Sequence, residues 1–136
     1  MGRQIAAFLL VVGLNVAVAV FLGISVVAKS VFVFERADVL AYLCGLWIAL
    51  LAGWISRRYG FAVVVAGIHL GFGLLAAYFV AGFTEVGFLG AVSANSLNVA
   101  ASMLTGVVGA CIGVRLSRLH GARGRRARAD VRGELS

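Results

Sequence analysis

Residues 61–83 read FAVVVAGIHLGFGLLAAYFVAGF, 23 residues without an Asp, Glu, Lys, Arg or Pro. Bilayer hydrocarbon is about 30 Å thick and offers the backbone no hydrogen-bond partner, so a helix of roughly 20 apolar residues is the element that crosses it. This stretch meets that requirement alone. Working outward, the RRYG of positions 57–60 separates it from a second uncharged run at 39–55, and TEVGFLGAVSAN at 84–95 separates it from a further one at 96–114. A fourth run, 5–27, follows Met1-Gly2-Arg3-Gln4 and is too long for a cleaved signal segment. The spans expected are therefore 5–27, 39–55, 61–83 and 96–114, with Tyr42 and Trp54 as interface anchors in the second.

Composition agrees with this patterning. The chain is 62% hydrophobic and 12% charged, with a mean hydropathy of +1.07, whereas soluble domains are about 45 to 50% apolar. The fold class expected is all-α, an integral membrane four-helix bundle over residues 1–119, followed at 120–136 by an arginine-rich tail expected to be disordered in isolation.

Charges set the direction. Lys and Arg accumulate on the cytoplasmic side of short loops. Alternation of the four spans puts Arg3, Arg57, Arg58, Arg115, Arg118, Arg123, Arg125, Arg126, Arg128 and Arg132 on one side and only Lys29 and Arg36 on the other. The expected topology has both termini in the cytoplasm, in the inner membrane of a prokaryote, since Arg far outnumbers Lys and Ala, Val and Gly abound. Glu35, Asp38 and Glu85 then fall in two short outer loops, too small for an external catalytic domain. Arg57, Arg58, Arg115, Arg118, Arg123, Arg125, Arg126 and Arg128 are expected to lie on anionic lipid, each worth about 1 kcal/mol near the surface. Nucleic acid is not an expected partner, because the tail carries no aromatic residue for base stacking.

Helices in lipid associate through small residues and a few hydrogen bonds rather than through burial of apolar surface. Gly45, Ala49 and Gly53 recur every four residues in the second span, Gly67 and Gly71 make a G-x-x-x-G pair in the third, and Ser102, Gly106, Gly109 and Gly113 share one stripe of the fourth. These nine positions are the expected packing surfaces. They exceed what a compact four-helix monomer can bury, which predicts a homo-oligomer or a larger membrane-protein partner. The third span also carries a second small face, with Ala62, Ala66, Gly73 and Ala76 around His69, roughly opposite Gly67 and Gly71, so it is expected to pack on both sides. Ser93 or Asn95 is expected to cap the fourth helix after an irregular stretch.

Depth singles out one polar layer. Counted from the cytoplasmic ends, Asn15, Trp47, His69 and Thr105 each lie about 15 Å in, near the midplane. An ionisable group at that depth is a functional candidate by default, and Asn15 and Thr105 are its expected hydrogen-bond partners, with Trp47 as the neighbouring ring. Such a layer suits proton relay or binding of a small polar solute; a plain packing hydrogen bond explains it more simply. No acid shares the layer, and no Ser/His/acid set or metal-ligand spacing occurs, so neither an enzyme, a cofactor nor a metal is expected. Cys44 and Cys111 differ in depth and read as apolar fillers. The function expected is that of an accessory or assembly subunit packing against other membrane helices, with a small homo-oligomeric transporter or channel around His69 as the competing reading.

Overall fold

The computed structural model describes the backbone of residues 2–27, 36–83 and 85–133 and the side chains of 2–18, 20, 39–83 and 85–122. The expectations for Lys29 and Glu35, and those for the side chains of Arg36, Asp38, Arg123, Arg125, Arg126, Arg128 and Arg132, lie outside what is described. Four helices follow in order: α1 Gly2–Val27, α2 Arg36–Ser56, α3 Phe61–Phe83 and α4 Phe88–Gly133. No strand occurs among the described residues. Three stretches, Val39–Ser56, Phe61–Phe83 and Phe88–Ala122, are long and apolar enough to cross a membrane.

Each uncharged run is a helix because nothing breaks it: no proline interrupts any of the four. The fourth differs from its expected bounds at both ends. Ser93 and Asn95 do not cap it. The helix begins at Phe88, with the Ala91 N–H donating to the Gly87 carbonyl at 3.0 Å, and the Ser96 hydroxyl donates back to the Ser93 carbonyl at 2.8 Å inside the helix. A serine hydroxyl turned onto its own helix backbone is as well satisfied there as in a cap.

At the other end the tail, expected to be disordered, continues the helix to Gly133. Alanine and arginine are strong helix formers, and extending a helix that already exists adds one hydrogen bond per residue without a second nucleation cost. The 46 residues of α4 run about 70 Å at 1.5 Å each, roughly twice the hydrocarbon thickness.

Among the described residues the largest helix interface is α2 with α4, followed by α4 with α3 and α1 with α2; α1 touches α3 lightly and does not reach α4. The α2 and α4 chains run the same way. Gly109 of α4 faces the Leu46 carbonyl and Gly113, one turn on, faces the Leu50 carbonyl, one turn on in α2. A Cβ on Gly109 would stand 2.5 Å from the Leu46 oxygen, one on Gly113 would overlap the Leu50 oxygen, and one on Gly53 would overlap the Ala110 oxygen. Backbone meets backbone across this interface, which only residues without side chains permit.

The core follows from the same logic. Ala7, Val11, Ile48, Ala49, Ala52, Phe61, Ala62, Val65 and Ala110 form one buried cluster, at the end of the bundle that carries the 57–60 turn. Larger apolar residues point outward instead, with Leu9, Trp47, Val63, Phe83, Leu97 and Leu104 all exposed. Small residues inside and large apolar ones outside is the pattern of a bundle whose surroundings are hydrocarbon.

Gly67 and Gly71 do not pack within the bundle. Both are exposed, and a Cβ on either would meet nothing within 4 Å. Of its two small faces α3 uses the other: Ala62, Val65 and His69 are buried, and Gly73 abuts Val99 of α4.

Arg57 closes α2 in the left-handed region, at φ 59°, its N–H donating to the Gly53 carbonyl at 2.9 Å. That helix-terminating position normally takes glycine, because a Cβ there costs about 1 kcal/mol. Arg57→Gly is therefore expected to raise stability by about 1 kcal/mol, read as a thermal midpoint a few degrees higher in detergent; an unchanged or lower midpoint would contradict this account of the turn.

Candidate functional site

Among the described side chains, His69 is the buried ionisable group of the bundle. It leaves α3 toward α4 and is 7% exposed. Its Nδ1 lies 2.7 Å from Ser102 Oγ. The ring occupies a recess made by two glycines. A Cβ on Gly45 of α2 would be 3.5 Å from Cε1, and one on Gly106 of α4 would be 2.8 Å from Nε2. Three helices thus converge on one imidazole: α3 supplies it, α4 gives it a hydroxyl and a glycine floor, and α2 closes the opposite side with Gly45.

Nε2 is buried and has no hydrogen-bond partner. A neutral imidazole donates at one nitrogen and accepts at the other. With Nδ1–H donating to Ser102, Nε2 keeps a bare lone pair against Gly106. With the Ser102 hydroxyl donating to Nδ1, an N–H is buried there instead. Either way the ring retains one unused hydrogen-bonding position near the middle of the bundle.

The remaining members of the predicted midplane layer are elsewhere. Asn15 Nδ2 donates to the Val11 carbonyl of its own helix at 2.8 Å, and Thr105 Oγ1 donates to the Ala101 carbonyl of its own helix at 2.7 Å. Trp47 is 62% exposed and points away from the bundle. Depth placed these residues level with His69; azimuth around each helix did not bring them to it. Ser102, assigned only a packing role, is the partner. Its signal was present in the spacing, since Ser102 stands one turn before Gly106 on the small stripe of α4. The Tyr42 hydroxyl donates to Asn98 Oδ1 at 3.1 Å, one turn before Ser102. Among the packing positions, Gly45, Ala49, Gly53, Gly106, Gly109 and Gly113 are buried and Ser102 is half-buried.

A second group of side chains gathers where the 57–60 turn meets α4. The Arg118 guanidinium carbon lies 4.5 Å above the Tyr59 ring centroid, and Trp54 packs against His120 with centroids 5.0 Å apart and rings tilted by 55°. Arg57, Arg58, Arg115 and Arg118 are exposed. The hydroxyls of Ser56 and Ser117, next in sequence to Arg57 and Arg118, are buried without a partner.

Among the described residues no three of His, Cys, Asp and Glu come together, and Cys44 and Cys111 are free thiols. An open groove of about 240 Å³ between α3 and α4, floored by Gly73, Val99 and Met103, is apolar except for Asn95 and Ser96. No family model, curated protein or solved structure matches the chain.

Proposed function

We propose that the chain is a four-span inner-membrane protein with both termini cytoplasmic, acting as an accessory or assembly subunit that packs against other membrane helices. The observation that carries this reading is the unused Gly67–Gly71 face of α3. It is a close-packing motif of the kind that joins helices in lipid, yet a Cβ on either glycine meets nothing within 4 Å. The arginine bias between alternate loops supports the orientation, and α1, 26 residues long and apolar, serves as the fourth span. Homo-oligomers use such faces as readily as heteromeric complexes do.

The test is purification of the intact chain in a mild detergent with mass analysis, wild type against Gly67→Leu/Gly71→Leu. Leucine at both sites is expected to leave the monomer fold untouched, because it fills open space and favours the helix by about 1 kcal/mol per site over glycine. It should abolish the larger species that the wild type forms. A wild type that runs as a monomer, or an assembly indifferent to the double substitution, would contradict the reading.

The unpartnered Nε2 of His69 favours a second reading, a small homo-oligomeric transporter or channel in which a passing proton or polar solute completes the ring's hydrogen bonding. That reading requires a homo-oligomer whose reconstituted flux falls when His69 is replaced.

A further inference from the structure

We propose that the end of the bundle around the 57–60 turn is a discrete site for a lipid headgroup bearing two phosphates, held between Arg57 and Arg58 of the turn and Arg115 and Arg118 of α4. The inference rests on the membrane-spanning reading above and deepens it from a general attraction to anionic lipid to one bound molecule.

Tyr59 organises the site. It follows Arg58 in the chain and lies under the Arg118 guanidinium, 4.5 Å from ring centroid to Cζ, so the turn and α4 are joined through one ring. Stacking occupies the flat face of a guanidinium and leaves its in-plane N–H groups free. Those edges match the oxygens of a phosphate two at a time. Arg115 stands three residues before Arg118, on the same side of α4, and supplies a second cation beside the fixed one. Arg57 is held by the helix-terminating turn, its backbone N–H bonded to the Gly53 carbonyl at 2.9 Å.

Charge argues for two phosphates rather than one. All four arginines are exposed, and among the described side chains the only carboxylate is Glu85, beyond the opposite end of α3. A headgroup with one phosphate brings a single negative charge to four cations. One with two phosphates brings two charges and two sets of acceptor oxygens, one for each arginine pair. Depth argues for a lipid source. Trp54 and His120 pack together at this same end, and amphipathic rings concentrate where hydrocarbon meets headgroups. Basic pockets between spanning helices at that level suit such headgroups.

The experiment uses the full chain, delipidated in detergent and titrated by native mass spectrometry with tetraoleoyl diphosphatidylglycerol, dioleoyl phosphatidylglycerol, dioleoyl phosphatidylcholine and inorganic pyrophosphate. One molecule of the two-phosphate lipid should bind at least tenfold more tightly than the one-phosphate lipid or pyrophosphate. Arg118→Gln and Tyr59→Leu should each weaken it fivefold or more, with unchanged circular dichroism. Tyr59→Leu keeps every charge, so its loss separates a built site from a general positive field. Arg125→Gln/Arg126→Gln in the tail should change affinity less than twofold. Affinities that rise only in proportion to phosphate number, or a tail variant as damaging as Arg118→Gln, would overturn the site. Pyrophosphate binding as tightly as the lipid would overturn the lipid source. Failure of the membrane reading looks different: the chain would stay monodisperse without detergent and bind none of the lipids.

Discussion

Gly113→Ala is expected to destabilise the bundle by about 3 kcal/mol or more, at the upper end of what an inserted methyl group costs in a packed interior. The added carbon would overlap the Leu50 carbonyl oxygen and stand 2.8 Å from the Trp54 amide nitrogen. Both are backbone atoms of α2 and cannot rotate aside as a side chain would. Relief comes only by parting α2 from α4, which is the largest interface in the fold. In detergent this should lower the thermal midpoint by on the order of 10 °C. In the dissociated monomer the same substitution at Gly67 meets nothing within 4 Å and should leave the midpoint unchanged or slightly raised, since alanine is the better helix former by about 1 kcal/mol. Equal effects at the two glycines would contradict the helix arrangement.

The second large effect centres on His69. In Gly106→Ala the new methyl carbon would stand 2.8 Å from Nε2, 2.9 Å from Cδ2 and 2.9 Å from Val65 Cγ1. The ring is tied at Nδ1 to Ser102, 2.7 Å away, so retreat into the room that Gly45 leaves on the α2 side gives up that hydrogen bond. A loss of about 2 to 3 kcal/mol is expected from the overpacking. His69→Ala alone should cost about 2 to 4 kcal/mol, combining a cavity with an orphaned Ser102 hydroxyl. Together the two changes should cost less than their sum by at least about 1 kcal/mol, because the methyl group added to Gly106 then enters space the imidazole has left. Denaturant titration of the four proteins measures this coupling; strict additivity would mean that His69 and Gly106 do not share a recess.

Why the helices were legible and the site was not is a matter of which physical quantity each depends on. Length without charge decides whether a segment can be a spanning helix, and length is written directly into runs such as 61–83. The small stripe of α4 was equally plain, since Gly106, Gly109 and Gly113 repeat at helical spacing. Spacing marked both small faces of α3, Gly67–Gly71 and the face around His69, as competent to pack and did not say which one turns to α4. The neighbour decided: α4 presents Ser102 and Gly106, which accommodate an imidazole.

The midplane layer failed for a related reason. Asn15, Trp47 and Thr105 share the depth of His69, and depth follows from counting residues. Azimuth relative to another helix depends on how the helices cross, and Asn15 and Thr105 satisfied themselves on their own backbones instead. The start of α4 was not legible because serine and asparagine cap helices and also survive inside them, and its end because arginine is at once a solubilising residue and a good helix former.

The claim that α3 offers its Gly67–Gly71 face to another protein is tested most directly by placing a photoactivatable benzophenone side chain at position 71 of the intact chain in its native membrane and irradiating before solubilisation. The account predicts a covalent adduct of one defined protein mass, lost when Gly67 is replaced by leucine and absent when the probe stands instead at Leu104 on an outward face of α4. Adducts with lipid alone, the chain otherwise recovered at its monomer mass, would contradict it.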